Sequence, residues 1–155
     1  MAHWREIVAS SLDWEQAHAS FHTAVERMPA PLRGRRPKNF PHSVWELVEH
    51  IRLAQADLFE FMTNPRYAAP KWPDDYWPTS PNPPSNAAWT RSVNDFRRDC
   101  ARLKRFTAKK EVDLTRKIPW GSGQTYLRTI LVTMDHTSHH VGQIIAVRRL
   151  LGAWK

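Results

Sequence analysis

The stretch MDHTSHHVGQ at 134–143 packs three of the chain's eight histidines into five positions, with an acid before them and Gly-Gln behind. On a helix, His136 and His140 lie one turn apart and about 40° around the axis, with Cβ atoms about 5–6 Å apart. Two imidazoles so spaced can converge on one ion. His139 lies about 60° from His136 on the other side and cannot easily join both. For an isolated HxxxH pair, two solvated histidines are the default reading; the rest of the face changes it. Thr129, Val132, Thr133, Gln143 and Val147 share the sector of His136, while Leu127, Ile130, Leu131, Met134, Val141 and Ile145 cover the opposite side. A polar strip turned away from solvent needs partners, because an unpaired buried imidazole costs about 1–3 kcal/mol. His50, in WELVEHIRLA, falls about 40° from Ala54 and about 60° from Leu47, at the edge of a second helix's buried stripe. Two ligands from one helix and one from another make a three-histidine site with room for an exogenous ligand, the arrangement of catalytic rather than closed structural zinc. Gln143, one turn past His140, is placed to orient an imidazole or to hydrogen-bond that ligand. Gly142 would let a neighbouring helix approach closely.

Three neutral ligands leave the charge of a divalent ion uncompensated. Such an ion takes water, hydroxide or thiolate readily and lowers the pKa of bound water from roughly 15.7 toward about 7. A thiol, with an ordinary pKa of about 8.5, would bind as thiolate. The expected chemistry is therefore that of a metal-dependent transferase or hydrolase whose nucleophile is the metal-bound water or thiolate. No protein residue is assigned as catalytic. Cys100 falls on a core seam and should be inert. Asp57 and Glu46 lie within about 40° of His50 but one to two turns along the helix, and Asp135 points about 100° off the ligand face, so none is a clear general base. Trp72, Tyr76 and Trp77 either wall the pocket or anchor their loop. His18 and His22 form a rival i, i+4 pair on the first helix that drifts to the border of its stripe, as a site-lining or boundary feature. His3 and His42 have no spacing partners and read as surface residues.

Four helices must position these groups. The first runs from about Trp4 to Met28, where Ile7, Trp14, Phe21 and Met28 recur every seven residues beside Ala17, Ala24 and Val25. Pro29 and Pro31 stop it. After the loop PAPLRGRRPKNFPH, Ser43 with Glu46 three residues on is a capping-box spacing. Val44, Leu47, Ile51, Ala54, Leu58 and Met62 form the apolar face of the second helix, which ends near Asn64-Pro65. Seven of the twelve prolines lie between Pro65 and Pro84. That long connection, with its aromatics, reads as an ordered cover. The third helix, about Ala87 to Lys109, carries the seam Trp89, Val93, Phe96, Cys100, Leu103 and Thr107. The last runs from about Gln124 to Leu151. The pattern predicts an all-α, four-helix up-and-down bundle with a long Pro/Trp-rich loop between helices 2 and 3, as one domain over 1–155.

Composition sets the outer limits. A hydrophobic content of 41% and five glycines fit a globular helical chain. No apolar run reaches the ~18–20 residues that span a bilayer. The opening MAHWREIVASSLDWEQ lacks a signal peptide's apolar block, and a single cysteine makes the cytoplasm the expected compartment. The excess of 23 Lys+Arg over 15 Asp+Glu, +8, with RGRRPK at 33–38, Arg97, Arg98, Arg102, Lys104, Arg105, Lys109, Lys110 and Arg148-Arg149, raises nucleic-acid binding as a rival. The third helix spreads its charges around every direction but the seam, without a recognition-helix motif or interleaved aromatics, so solvation or attraction of an anionic substrate is the better account. A non-enzymatic metal-binding bundle is the further alternative.

With His50 and DHTSHHVGQ in place, the chain resembles the DinB-like, or DinB/YfiT-like, family, whose members are regarded as metalloenzymes. The likeness rests on SVWELVEHIR, NPRYAAPKWPDDYWP, IPWGSGQT and DHTSHHVGQIIAVRRLLG, and covers essentially the whole chain. The family's motif, one histidine on the second helix and HxxxH on the fourth, maps onto His50, His136 and His140, and His139 falls where the motif takes no metal. The resemblance implies an up-and-down bundle, frequent homodimers, one bound divalent ion, often zinc or nickel, and a small-molecule substrate that includes a low-molecular-weight thiol. The family includes thiol transferases and an isomerase, and its name does not imply a DNA polymerase.

Overall fold

The computed structural model describes residues 3–154. Among these residues five α-helices follow one another: α1 (His3–Ser11), α2 (Phe21–Val25), α3 (Val44–Thr63), α4 (Asn86–Ala108) and α5 (Tyr126–Leu150), with single 3-10 turns at Ala30–Leu32 and Asp74–Tyr76. Among the described residues there is no strand, and Lys117 and Thr125 form one isolated bridge. The chain is a helical bundle in which α3 packs on α4 and α5, α1 on α4, and α2 on α5. No helix among the described residues is long and apolar enough to cross a membrane.

The first arm is not the continuous helix its heptad pattern predicts. The Glu15 carboxylate accepts hydrogen bonds from both the backbone N–H and the hydroxyl of Ser20, each at 2.9 Å. Ser20 in turn caps α2, its hydroxyl accepting from the Thr23 N–H at 3.3 Å. These local side-chain bonds offer the backbone an alternative to the helix. The stripe breaks accordingly: Phe21, Ala24, Val25 and Met28 are buried, whereas Ile7 and Trp14 are 45% and 42% exposed and Ala17 is exposed too. His18 and His22 consequently do not share a helix.

The other elements start where their caps dictate. The Ser43 hydroxyl accepts from the Glu46 N–H at 3.2 Å, and the Glu46 carboxylate accepts from the Ser43 N–H at 2.8 Å, which is the reciprocal box read from the sequence. Ser85 and Thr125 cap α4 and α5 singly, without a reciprocal partner, their hydroxyls accepting from the N–H of Ala88 and of Arg128. On α3, Val44, Leu47, Ile51, Ala54 and Met62 are buried and Leu58 is half-buried. Every residue of the α4 seam is buried.

On α5 the buried stripe is mixed, with Thr129, Thr133 and Thr137 beside Ile130, Val141, Ile144 and Val147. It runs between the polar strip and the apolar back rather than along either. Thr129 and Thr133 satisfy their hydroxyls on the carbonyls one turn earlier, those of Thr125 and Thr129. Leu131 and Val132, expected on the two inward faces, are 42% and 38% exposed. Gly142 is exposed with nothing within 4 Å of where a Cβ would stand, so it serves no close helix approach.

Candidate metal centre

His50 is carried by α3, and His136 and His140 by facing positions of α5. The ligand atoms of all three lie within 4.8 Å of one another. His50 is buried, and its two partners, at the edge of the α5 stripe, are half-buried. The rings meet steeply, with centroids 4.8 Å apart for His50–His136, 4.6 Å for His50–His140 and 4.5 Å for His136–His140. Around an ion with metal–nitrogen bonds of about 2.0–2.1 Å, tetrahedral ligand atoms stand roughly 3.3 Å apart, a spacing these rings reach with small movement.

The neighbours of each ring decide which nitrogen faces the centre. His50 Nδ1 lies 2.9 Å from the carbonyl oxygen of Tyr76. A carbonyl only accepts, so Nδ1 carries the proton and Nε2 presents a lone pair. His140 Nδ1 lies 2.6 Å from Gln143 Oε1, which leaves Nε2 bare by the same reasoning. His136 Nε2 stands 3.0 Å from His50 Nε2. Two ring nitrogens facing each other need either a shared proton or a cation between them.

Burial lowers the pKa of all three. For His50 desolvation outweighs the favourable Tyr76 bond. His136 and His140 fall to about 4, chiefly through burial, with the neighbouring imidazoles adding to it. The rings are thus neutral at pH 7, the form that ligates metal. The cluster is all imidazole, so a divalent ion held here would keep its charge. On these grounds the residues fit one divalent ion.

The Pro/Trp-rich connection supplies the wall. Trp77 stacks on His50 with centroids 3.9 Å apart and planes 4° from parallel, and its other face stacks on His42 at 4.3 Å and 13°. Tyr76 is an anchor as well as a neighbour: its hydroxyl and that of Tyr67 donate to the two oxygens of Asp57, both at 2.7 Å. Trp72 does not reach the histidines; it is 68% exposed and rests against Tyr76, 5.3 Å away.

Other expected residues are placed elsewhere. His139 is exposed beside His140, with ring centroids 4.9 Å apart, and stands outside the cluster. His18 lines a different space, a cavity of about 240 Å³ with Trp14, Phe21, Met134 and Asp135 on the opposite side of α5. Its Nδ1 bonds the Ala19 carbonyl at 2.8 Å, so its Nε2 accepts from the Ser138 hydroxyl at 2.6 Å. The broken first arm is what carries it away from the centre. His22 pairs with the Arg97 guanidinium instead. Glu46 is occupied by its cap and by Arg36, whose Nε donates at 2.9 Å. Cys100 is buried, and that burial pushes its thiol up to about 12. Several of the basic residues are likewise engaged: Arg98 and Arg102 pair with Asp95 and Asp99, and Lys104 with Asp13. Arg148 is buried, donating to the carbonyls of Ala24, Glu26 and Ala153. Two participants escaped sequence reasoning. His42 joins the centre only through Trp77, and the Tyr76 contribution is a backbone carbonyl, for which side-chain type carries no signal.

A helical bundle that gathers three neutral imidazoles from two of its long helices, with no carboxylate among them, is compatible with a protein that binds a metal ion. Residues 13–144 match the sequence model of the DinB superfamily, a span that contains all three histidines, and the chain belongs to that superfamily. Neither the curated proteins nor the solved structures yielded a match.

Proposed function

We propose that this is a divalent-metal-dependent enzyme in which His50, His136 and His140 hold one ion, zinc or nickel, and that it transfers or activates a low-molecular-weight thiol, with hydrolysis as the alternative chemistry. The observation that carries the reading is the all-imidazole cluster, part-buried and neutral, with no carboxylate to offset a cation. Three protein donors leave an ion's usual fourth position to an exogenous ligand. The ion supplies Lewis acidity that lets a water or a thiol release its proton near neutral pH. An anionic ligand is favoured there because the donor set brings no negative charge. The chain's one thiol is excluded, since Cys100 is sealed in the core and held protonated. The nucleophilic sulfur would therefore come from a small molecule.

The protein's own part is positional. Tyr76 fixes the tautomer of His50, Gln143 that of His140, and Trp77 restricts the His50 ring on one face. The deciding experiment is elemental analysis of untagged protein beside His136→Ala. About one ion per chain in the wild type and loss in the variant is the expected result, followed by turnover with a panel of thiols and electrophilic acceptors. Equal, sub-stoichiometric metal in both would overturn the assignment.

A further inference from the structure

His50 and Asp57 lie seven residues apart on α3, two turns along nearly the same face and about 10.5 Å apart along the axis. One residue of the loop spans that interval. The Tyr76 carbonyl oxygen sits 2.9 Å from His50 Nδ1, while its hydroxyl donates to Asp57 Oδ2 at 2.7 Å. The second carboxylate oxygen, Oδ1, is taken by Tyr67 from the start of the same loop, also at 2.7 Å. Both phenols therefore close on one acid, and the residue that follows Tyr76 is the Trp77 that stacks on His50.

We propose that Asp57 is a positioning residue for His50, acting through Tyr76: by accepting the Tyr76 hydroxyl it holds the Tyr76 carbonyl where it dictates which nitrogen of His50 is free. The inference deepens the metal-centre reading and rests on it for its consequence, though not for its geometry. With the carbonyl in place, Nδ1–H is committed outward and the Nε2 lone pair is aimed at His136. If the carbonyl drifts, the proton can move to Nε2, and His50 then has no lone pair to offer a cation until that proton is displaced. Asp57 is suited to the task because a carboxylate offers acceptors to two donors at once. Neither tyrosine approaches the three imidazoles with its hydroxyl, so a direct chemical role for them is not implied.

The test compares Asp57→Ala, Tyr76→Phe and Tyr67→Phe with the wild type by two readouts. The first is the tautomer of His50 in metal-free protein, read from side-chain 15N shifts at neutral pH. The second is the affinity for Zn2+ alone, measured by competition with a chelating dye. Wild type should show the Nδ1–H form. Asp57→Ala should show a tautomer mixture and a Zn2+ affinity lower on the order of 10-fold to 100-fold, the usual effect of losing a group that orients a ligand. Tyr76→Phe should shift both readouts in the same direction, and Tyr67→Phe should shift them least. Each tyrosine variant removes one bond of the same length from the same acid, so a general loosening of the loop would affect both alike. Equal effects of the two, or an unchanged His50 tautomer in both Asp57→Ala and Tyr76→Phe, would overturn the proposal. Failure of the wild type to bind Zn2+ would instead refute the metal-centre reading, and the tautomer comparison would still decide the role of Asp57.

Discussion

Acidification should destabilise the metal-free protein through its histidine cluster, before its carboxylates respond. His136 and His140 have folded pKa values lowered from 6.5 to about 4. Below pH 6.5 the unfolded chain takes up protons that the folded chain refuses, so stability rises with pH across this window and falls as pH drops through it. The loss starts near pH 6.5 and is complete by about pH 4. At about pH 5 the gap from the unfolded pKa is roughly 1.5 units, or about 2 kcal/mol per ring at about 1.36 kcal/mol per unit. Solvent reaches these half-buried rings, which reduces the figure to about 1 kcal/mol each, roughly 2 kcal/mol for the pair. His50 and His42, also lowered by burial, act in the same direction. Glu46 and Glu49 are held below the ordinary 4.5, and their contributions are lost only at lower pH. Urea titrations at about pH 7.5 and about pH 5 in a chelator should therefore show a smaller loss for the His136→Gln, His140→Gln double variant than for the wild type, by roughly 2 kcal/mol. Equal losses would refute the argument that these rings are folded in the neutral state.

Three further outcomes follow from particular contacts. Ser43→Ala removes the acceptor for the Glu46 N–H and the donor to the Pro81 carbonyl, and should lower the urea midpoint by the equivalent of about 1–2 kcal/mol at unchanged slope; an unmoved midpoint would discount the cap. Leu103, fully buried in the α4 seam, should cost about 2–5 kcal/mol on truncation to alanine, read by thermal or denaturant unfolding, and a cost under about 1 kcal/mol would mean the seam is not packed as described. Cys100 should resist a disulfide-exchange reagent in the native protein and react once per chain in denaturant, since the thiol is both buried and held protonated; prompt labelling of the folded protein would contradict its burial.

Much was legible from spacing alone. The caps at Ser43 and the proline stop after Asn64 are local chemistry, decided within four residues. The α4 seam is legible because a helix with charges on every other face has one way to turn. The three histidines were identifiable because HxxxH fixes two rings relative to each other on any helix, and the stripe of α3 fixes the side from which His50 looks inward. The first arm was misread because apolar residues kept a heptad beat through a segment whose backbone is claimed by Glu15 and Ser20. Periodicity records what could be buried and takes no account of competing side-chain bonds.

What only the packed chain decides is everything contributed by groups distant in sequence. The sandwich of Trp77 between His42 and His50 joins residues from a loop, a helix entrance and a helix interior. The tautomer of His50 depends on a carbonyl 26 residues away, held by an acid on the helix that carries the histidine. A linear pattern specifies side-chain types and their angles about one axis, whereas proton placement at a ring nitrogen is set by whichever acceptor the tertiary fold brings within about 3 Å.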